Sequence, residues 1–291
     1  MKVAITGASG FVGGYLARQF SERGNLVTEI QSKRRLDINE KQVTYQDLRY
    51  FSDQNFDLIV HAGALTPRNY SIKPNHDYLV SNLKTTMQIA EWAKGQVNTK
   101  FVFISTTHIL EYYENLFVNK IPSLENDFDL YGYFFSKYTC EVFLQNFLDS
   151  EINPLAILRI ATPFTKDYCA SNFITKLIEN FCEAKVTTIT SEADEIINLT
   201  WLDDVMDVIE YFCVNPKRLN IVDLVSSSSS LEEFTSSLSR IGNSTIRLEH
   251  SSHPNVRRFE RRDVVKSESF LGIKLTSLDD ALNEYLTSRL P

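Results

Sequence analysis

Gly7-Ala8-Ser9-Gly10-Phe11-Val12-Gly13 decides how this chain is read, because it follows without a linker on Lys2-Val-Ala-Ile-Thr6, an apolar and β-branched run of the kind that forms a buried strand. Strand, glycine turn and helix start are contiguous. Gly7 permits a tight turn, Gly10 lets backbone come close to a diphosphate, and Gly13 lets the helix pack against the strand. The free N–H groups at the helix start, around Phe11 and Val12, would face the phosphates. The Gly-x-x-Gly-x-x-Gly spacing differs from the more widespread Gly-x-Gly-x-x-Gly, and an ordinary glycine turn in an α/β protein would share it.

Beyond the first helix, Gly24 is a stop and Leu26-Val-Thr-Glu-Ile30 reads as a second strand. An acidic residue just after that strand holds an adenosine 2′-hydroxyl, whereas a 2′-phosphate needs cations there. The segment here is Gln31-Ser32-Lys33-Arg34-Arg35, with no carboxylate before Asp37, which favours NADP(H) over NAD. A solvated basic loop is the competing reading, and Glu29 is the alternative acidic group. A helix is expected over about 40–52, then the strand Phe56-Asp-Leu-Ile-Val-His61 running into Ala62-Gly63-Ala64, small residues that let a ligand lie against bare backbone. A helix over about 77–94 carries Asn82, and Lys100-Phe-Val-Phe-Ile-Ser105 is another buried strand with Ser105, Thr106 and Thr107 at its end. Alternating strands and helices imply a doubly wound parallel sheet, an α/β fold whose ligands bind beyond the carboxyl ends of the strands.

Composition narrows the field. The 291 residues are 43% hydrophobic and 23% charged, enough for a buried core in one large or two modest domains and unlike a disordered or collagenous chain. No apolar run approaches the roughly 18–20 residues that span a bilayer, and the first strand starts at residue 2, so a cytoplasmic protein without a signal peptide is expected. Cys140, Cys169, Cys182 and Cys213 form no Cys-x-x-Cys pair and read as reduced core residues, with no metal site. A net charge of −7 argues against nucleic acid as a partner.

The second informative stretch is Tyr131-Gly132-Tyr133-Phe134-Phe135-Ser136-Lys137-Tyr138-Thr139-Cys140-Glu141. On a helix Tyr133 and Lys137, four residues apart, project side by side. A nearby ammonium stabilises a phenolate and lowers its pKa from about 10, making the tyrosine a usable acid/base group at neutral pH. Such a pair is common on helices by chance, and its weight comes from what accompanies it.

The glycine turn at residue 7, Asp37-Ile38, His61-Ala-Gly-Ala64, Asn82, Ser105-Thr106 and Tyr133-x-x-Ser136-Lys137-x-x-x-Glu141 stand in an order and spacing that resemble the extended short-chain dehydrogenase/reductases, in their nucleotide-sugar epimerase/dehydratase/reductase branch. Leu158-Arg159-Ile-Ala-Thr162-Pro163, Trp201-Leu-Asp203-Asp204-Val205 and Asp263 to Gly272 extend the likeness over essentially the whole chain. The resemblance implies an NAD(P)-binding Rossmann domain over 1–163, with 197–226 returning to it, and a smaller, discontinuous C-terminal substrate domain from 164–196 and 227–291. It implies that Tyr133 passes a proton to or from the reacting oxygen, that Lys137 lowers the tyrosine pKa and binds the nicotinamide ribose, and that Thr106 hydrogen-bonds the same oxygen, with Ser105 the alternate hydroxyl. Adenine is expected near Asp37 and Ile38, nicotinamide near Pro163, and main-chain contacts at Ala62, Gly63 and Ala64, with Asn82 supporting the active-site loop. Relatives commonly pair through helices that here span about 77–94 and 131–149 and carry Met87, Trp92, Tyr138, Phe143, Leu144 and Phe147, so a homodimer is expected.

The departures also inform. Related sugar-nucleotide 4,6-dehydratases carry an Asp-Glu pair after the catalytic threonine, where this chain has Thr107 and His108, which argues against dehydratase chemistry. Thr162 replaces a common asparagine and Ile197 a common arginine, leaving diphosphate binding either absent or shifted to other groups. The cluster Arg257-Arg258-Phe259-Glu260-Arg261-Arg262 lies where relatives often use an arginine on the diphosphate; a solvated charged face is the equal alternative. Further expectations are a helix over about 170–184 with Phe173, Leu177, Ile178 and Phe181 in a core, Asp203 as the cap of a helix at 204–213, and Ser226 to Ser230 as a polar connector ending in a capping box, Ser230-x-x-Glu233. The leading function is an NADP(H)-dependent reductase of a nucleotide-activated keto-sugar. A 4-epimerase that keeps NAD bound and a non-catalytic cofactor sensor are the alternatives; joint retention of Thr106, Tyr133 and Lys137 argues against the sensor.

Overall fold

A computed structural model describes residues 1–31, 42–44, 55–67, 74–110, 128–148, 151–166, 172–189, 192–217, 220–250 and 260–289. Contacts divide the chain into two compact units, Met1–Arg159 with Ile209–Asp223, and Ile160–Val208 with Leu224–Pro291.

The first unit is built on strands β1 (Lys2–Thr6), β2 (Leu26–Gln31), β3 (Gln42–Thr44), β4 (Leu58–His61), β5 (Lys100–Thr106), β6 (Leu155–Ile160) and β10 (Ile221–Leu224), in the order β10-β6-β5-β4-β1-β2-β3. The pairings of β1 with β2 and β4, of β2 with β3 and of β4 with β5 are all parallel. Val3, Ala4, Ile5, Leu58, Ile59 and Val60 are fully buried, as continuous apolar strands of a sheet covered on both faces must be. Helices α1 (Phe11–Glu22), α2 (Asn75–Lys94) and α3 (Phe128–Phe147) follow β1, β4 and β5 along the chain. On one face, Ile89, Ala90 and Ala93 of α2 and Cys140 and Leu144 of α3 close over Ile59, Phe101, Phe103 and Ile157. Each fully buried Leu, Ile or Phe there contributes about 1.5–3 kcal/mol. The helix expected over 40–52 is contradicted at residues 42–44, which form β3 with Val43 opposite Ile30.

The second unit holds β7 (Thr162–Phe164), β8 (Val186–Ile189), β9 (Ile196–Trp201), β11 (Ser227–Ser230) and β12 (Arg247–His250), as a sheet β11-β9-β7 and a pair β12-β8. Its helices are α4 (Phe173–Cys182), α6 (Leu231–Ile241), α7 (Val264–Leu271) and α8 (Leu278–Arg289), while α5 (Leu202–Val214) crosses from one unit into the other. Ile174, Leu177, Ile178, Phe181, Phe234, Leu282 and Tyr285 make its core, whereas Phe173 is 37% exposed and stays outside it. The returning segment is 209–223 rather than 197–226, because β9 pairs with β7 and β11 and not with the seven-stranded sheet. Ser227–Ser230 is a strand, not a connector: Ser227 and Ser229 lie opposite Leu199 and Ile197, and both serines are buried. Four identical residues carry no alternation from which a strand could be read. Ser230 does form the capping box with Glu233. Asp203 falls inside the first turn of α5 instead of capping it.

A buried polar chain ties the carboxyl ends of β1 and β4 to α2 and α3. Gly63 N–H donates to Thr6 Oγ1 (3.0 Å), which meets His61 Nδ1 at 2.6 Å; His61 Nε2 meets Thr86 Oγ1 at 2.9 Å, and the Thr86 hydroxyl donates to Cys140 Sγ at 3.3 Å. Burial, with Lys137 adding to it, pushes His61 from 6.5 down to about 3. The unfolded imidazole therefore takes up a proton below about 6.5 while the folded one stays neutral to about 3, so its contribution is complete above 6.5 and is lost as pH falls toward 3. Urea unfolding at pH 6.5 and pH 5 should show stability falling from this group with a slope that steepens toward about 1.4 kcal/mol per pH unit, a slope that His61→Asn should remove while lowering stability at pH 7. An unchanged slope in the variant would mean that His61 does not carry it.

Candidate active site

Strand β5 runs three residues past the point where His61, the last residue of β4, pairs with Phe103, and so delivers Ser105 and Thr106 to the carboxyl edge of the sheet. Helix α3 brings Lys137 under that edge. Its ammonium is buried, donates to Ile104 O at 2.6 Å and lies 4.1 Å from the centre of the Phe103 ring. Burial pushes Lys137 down to about 8, against the opposing pull of Cys140 and Glu141.

Tyr133 stands one turn earlier on α3, half-buried, with Tyr78 edge-on at 6.0 Å and Phe134 at 5.6 Å between ring centres. Its phenol is raised above the ordinary tyrosine value, first by burial and then by Tyr78. That corrects the expected lowering by Lys137. The ammonium is engaged by the Ile104 carbonyl and the Phe103 face, and desolvation disfavours the phenolate, so the Tyr133 phenol stays neutral.

Contacts from α2 fix the helix that carries this pair. Gly132 N–H donates to Asn75 Oδ1 at 2.9 Å, and a Cβ on Gly132 would lie 2.5 Å from Asn75 Cα, so only glycine lets the start of α3 come this close to α2. The Ser136 hydroxyl donates to Tyr133 O (2.7 Å) and accepts from Asn82 Nδ2 (2.8 Å). Asn82 also binds both main-chain groups of Leu65, accepting from its N–H at 2.7 Å and donating to its carbonyl at 3.1 Å. Asn82 is thus a buried brace between α2, α3 and the segment after Ala64, with its side chain engaged by protein.

The glycine turn fits a dinucleotide. Gly7 has φ +71°, and a Cβ there would meet Gly63 Cα at 2.6 Å; one on Gly13 would meet Gly7 O at 2.3 Å. Gly10 caps α1 with no side-chain hydrogen bond, and no acidic residue occupies the first turn with Phe11 and Val12, so the helix start is open to an anion. Ser105 Oγ and Thr107 Oγ1 are buried with no hydrogen-bond partner among the described residues, which leaves hydroxyls beside Thr106 for a bound group to satisfy. Among the small residues after β4, Ala62 and Ala64 are half-buried, while the Gly63 N–H is already taken by Thr6.

Ser32, Lys33, Arg34, Asp37, Ile38, Arg257 and Arg258 lie outside the described residues. Next to the first group, Gln31 is buried and its amide donates to Glu29 Oε2 at 3.0 Å. Next to the second, Arg261 binds Ser228 O and Glu233 Oε2 at 3.1 and 2.7 Å. Thr162 and Pro163 sit on β7 of the second unit, with Asn172 Nδ2 donating to Pro163 O at 3.2 Å. Sequence reading missed the ion pair of Glu141 with Arg159 and the contact of Gly132 with Asn75. The signals were present as a carboxylate four residues after Lys137 and a glycine directly before Tyr133.

The model of the NAD dependent epimerase/dehydratase family matches residues 3–222. Protein CapI of Staphylococcus aureus is 24% identical over 243 residues, 76% of this chain and 71% of that protein. The dTDP-D-glucose 4,6-dehydratase of Dictyostelium discoideum is 22% identical over 243 residues, 72% of this chain and 54% of its own length. Among solved structures, the UDP-glucuronic acid 4-epimerase of Bacillus cereus in complex with UDP-glucuronic acid and NAD has the same fold, with a TM-score of 0.72 at 21% identity over 99% of both chains.

Proposed function

Because the chain belongs to the NAD dependent epimerase/dehydratase family, we propose that it reduces the keto group of a nucleotide-activated sugar with Tyr133 as proton donor. The observation that carries this reading is the placing of Tyr133 one turn before the buried Lys137, with Ser105 and Thr106 at the end of the strand under which Lys137 is fixed. When bound, the nicotinamide supplies the hydride. Tyr133 gives its hydroxyl proton to the carbonyl oxygen as that oxygen becomes an alcohol, Thr106 hydrogen-bonds the same oxygen, and Lys137 holds the ribose. Burial of the phenol supports the donor role, since a raised pKa keeps the proton on Tyr133 until an acceptor arrives. Gly7, Gly10 and Gly13 would hold the diphosphate of the cofactor. Nucleotide-sugar 4-epimerisation is the second reading, favoured by the fold shared with a UDP-glucuronic acid 4-epimerase.

On a panel of UDP-, GDP-, CDP- and dTDP-sugars, Tyr133→Phe should lower turnover by about 10²–10⁴-fold with cofactor binding kept. Thr106→Val should act in the same way, and Lys137→Met should weaken cofactor binding and turnover together. Turnover of Tyr133→Phe within threefold of wild type would remove Tyr133 from the mechanism.

The cofactor is proposed to be NADP(H), on the strength of Lys33, Arg34 and Arg35 after β2, although the family is NAD dependent and the solved 4-epimerase holds NAD. Fluorescence titration should show NADPH binding more tightly than NADH by about 1–3 kcal/mol, as charge-assisted contacts to a 2′-phosphate would give. Equal or reversed affinities would assign NAD.

A homodimer through α2 and α3 is proposed as well. Val80, Met87, Phe135 and Val142 are exposed on these helices, whereas Leu144 is buried and Trp92, Phe143 and Phe147 pack inward on the core, so Met87 is retained from the expected face and Leu144, Trp92, Phe143 and Phe147 are not. Light scattering at micromolar concentration should give twice the chain mass, and Val142→Lys should shift it toward the monomer. A monomeric wild type would refute this.

A further inference from the structure

Glu141 lies four residues after Lys137 on α3, and its carboxylate is wholly buried. Arg159 of β6 grips it with a fork: Nε lies 3.0 and 3.1 Å from the two carboxylate oxygens and Nη2 lies 2.7 Å from Oε2. The other arm of the guanidinium reaches Asp223 of β10 at 3.5 Å, toward solvent. A buried ion pair is a poor way to gain stability, because desolvating two charges offsets most of their attraction, and two apolar residues would brace the same elements at less cost. Lys137, one helical turn before Glu141 on α3, is a second buried cation on which its charge acts.

The surroundings of Lys137 leave little else to balance its charge. On its own helix stand Tyr133, whose phenol burial keeps neutral, and Cys140, whose thiol burial pushes up. Strand β5 supplies the Phe103 ring and the Ile104 carbonyl, β4 the neutral His61, and α2 the uncharged Thr86. Among the described groups acting on Lys137, Glu141 is the one carboxylate.

We propose that Glu141, held in place by Arg159, is the counter-charge that keeps the buried Lys137 an ammonium at neutral pH, and is thereby a positioning residue for the proton-transfer site. The inference rests on reading Tyr133 and Lys137 as the acid/base pair. It deepens that reading by explaining how a cation survives in the apolar space between β5 and α3. Because burial already brings Lys137 down to about 8, small changes in its counter-charge alter its protonation within the neutral range.

The test is an NMR titration of ¹³C-lysine-labelled protein from pH 6 to 9.5, with Lys137→Met to assign the resonance, run beside NADPH binding over the same range. Glu141→Gln keeps the shape and a hydrogen-bond acceptor for Arg159 while removing the charge. It should move the Lys137 midpoint down by about one pH unit, and weaken NADPH binding about fivefold at pH 8 while leaving it within about twofold at pH 6. A merely structural glutamate would weaken binding equally at all pH values. A folded Glu141→Gln protein with an unmoved Lys137 midpoint overturns the proposal. Should that variant not fold, Glu141→Asp decides by the same criterion, with a smaller downward shift expected. A moved midpoint with pH-independent NADPH binding upholds the counter-charge and instead removes Lys137 from the cofactor site.

Discussion

The ammonium of Lys137, buried beneath the carboxyl end of β5, constrains the site more than any other single group. An unpaired charge in such a place would lose its proton or open the packing. Here a carbonyl accepts from it, an aromatic face lies against it and a carboxylate stands one turn away. Each of these partners requires α3 to lie in one register over β5. Register in turn sets Tyr133, one helical turn before Lys137 on α3, edge-on to Tyr78 of α2. Asn82 of α2 locks the same register through Ser136 of α3, and Gly132 removes the side chain that would hold the two helices apart.

The cofactor edge depends on a second close approach. Gly7 and Gly63 meet where any side chain would collide, which draws the turn after β1 and the segment after β4 to the same rim. His61 secures this from below with a neutral imidazole between two threonine hydroxyls, and the same Thr86 reaches across to Cys140 on α3. The glycine turn and the tyrosine–lysine helix are therefore braced by one hydrogen-bonded core, although they are more than a hundred residues apart in the chain.

Much of this was legible in the sequence, for local reasons. A strand, three glycines and a helix start are adjacent residues, the Tyr133–Lys137 spacing is a property of one helix, and the Ser230–Glu233 box is a four-residue motif. What escaped depends on partners distant in sequence. The serines of β11 read as a loop because serine favours turns, and only pairing with β9 reveals a strand. Residues 42–44 are too few to show a period, yet β2 recruits them. The proton affinity of Tyr133 depends on its burial and on Tyr78 of α2, 55 positions earlier, and the fork of Arg159 on Glu141 joins residues 18 positions apart.

The central claim is that this site transfers a hydride to a sugar carbonyl while Tyr133 supplies the proton, and isotope transfer tests it most directly. Purified protein would be incubated with [4,4-²H₂]NADPH, or the corresponding NADH, and each member of a panel of nucleotide-activated keto-sugars, with the products analysed by mass spectrometry. The account predicts an alcohol product carrying one deuterium at the former carbonyl carbon, formed by the wild type and lost in the Tyr133→Phe protein. Products that carry no deuterium, or labelled product formed as fast without the tyrosine hydroxyl, would contradict it.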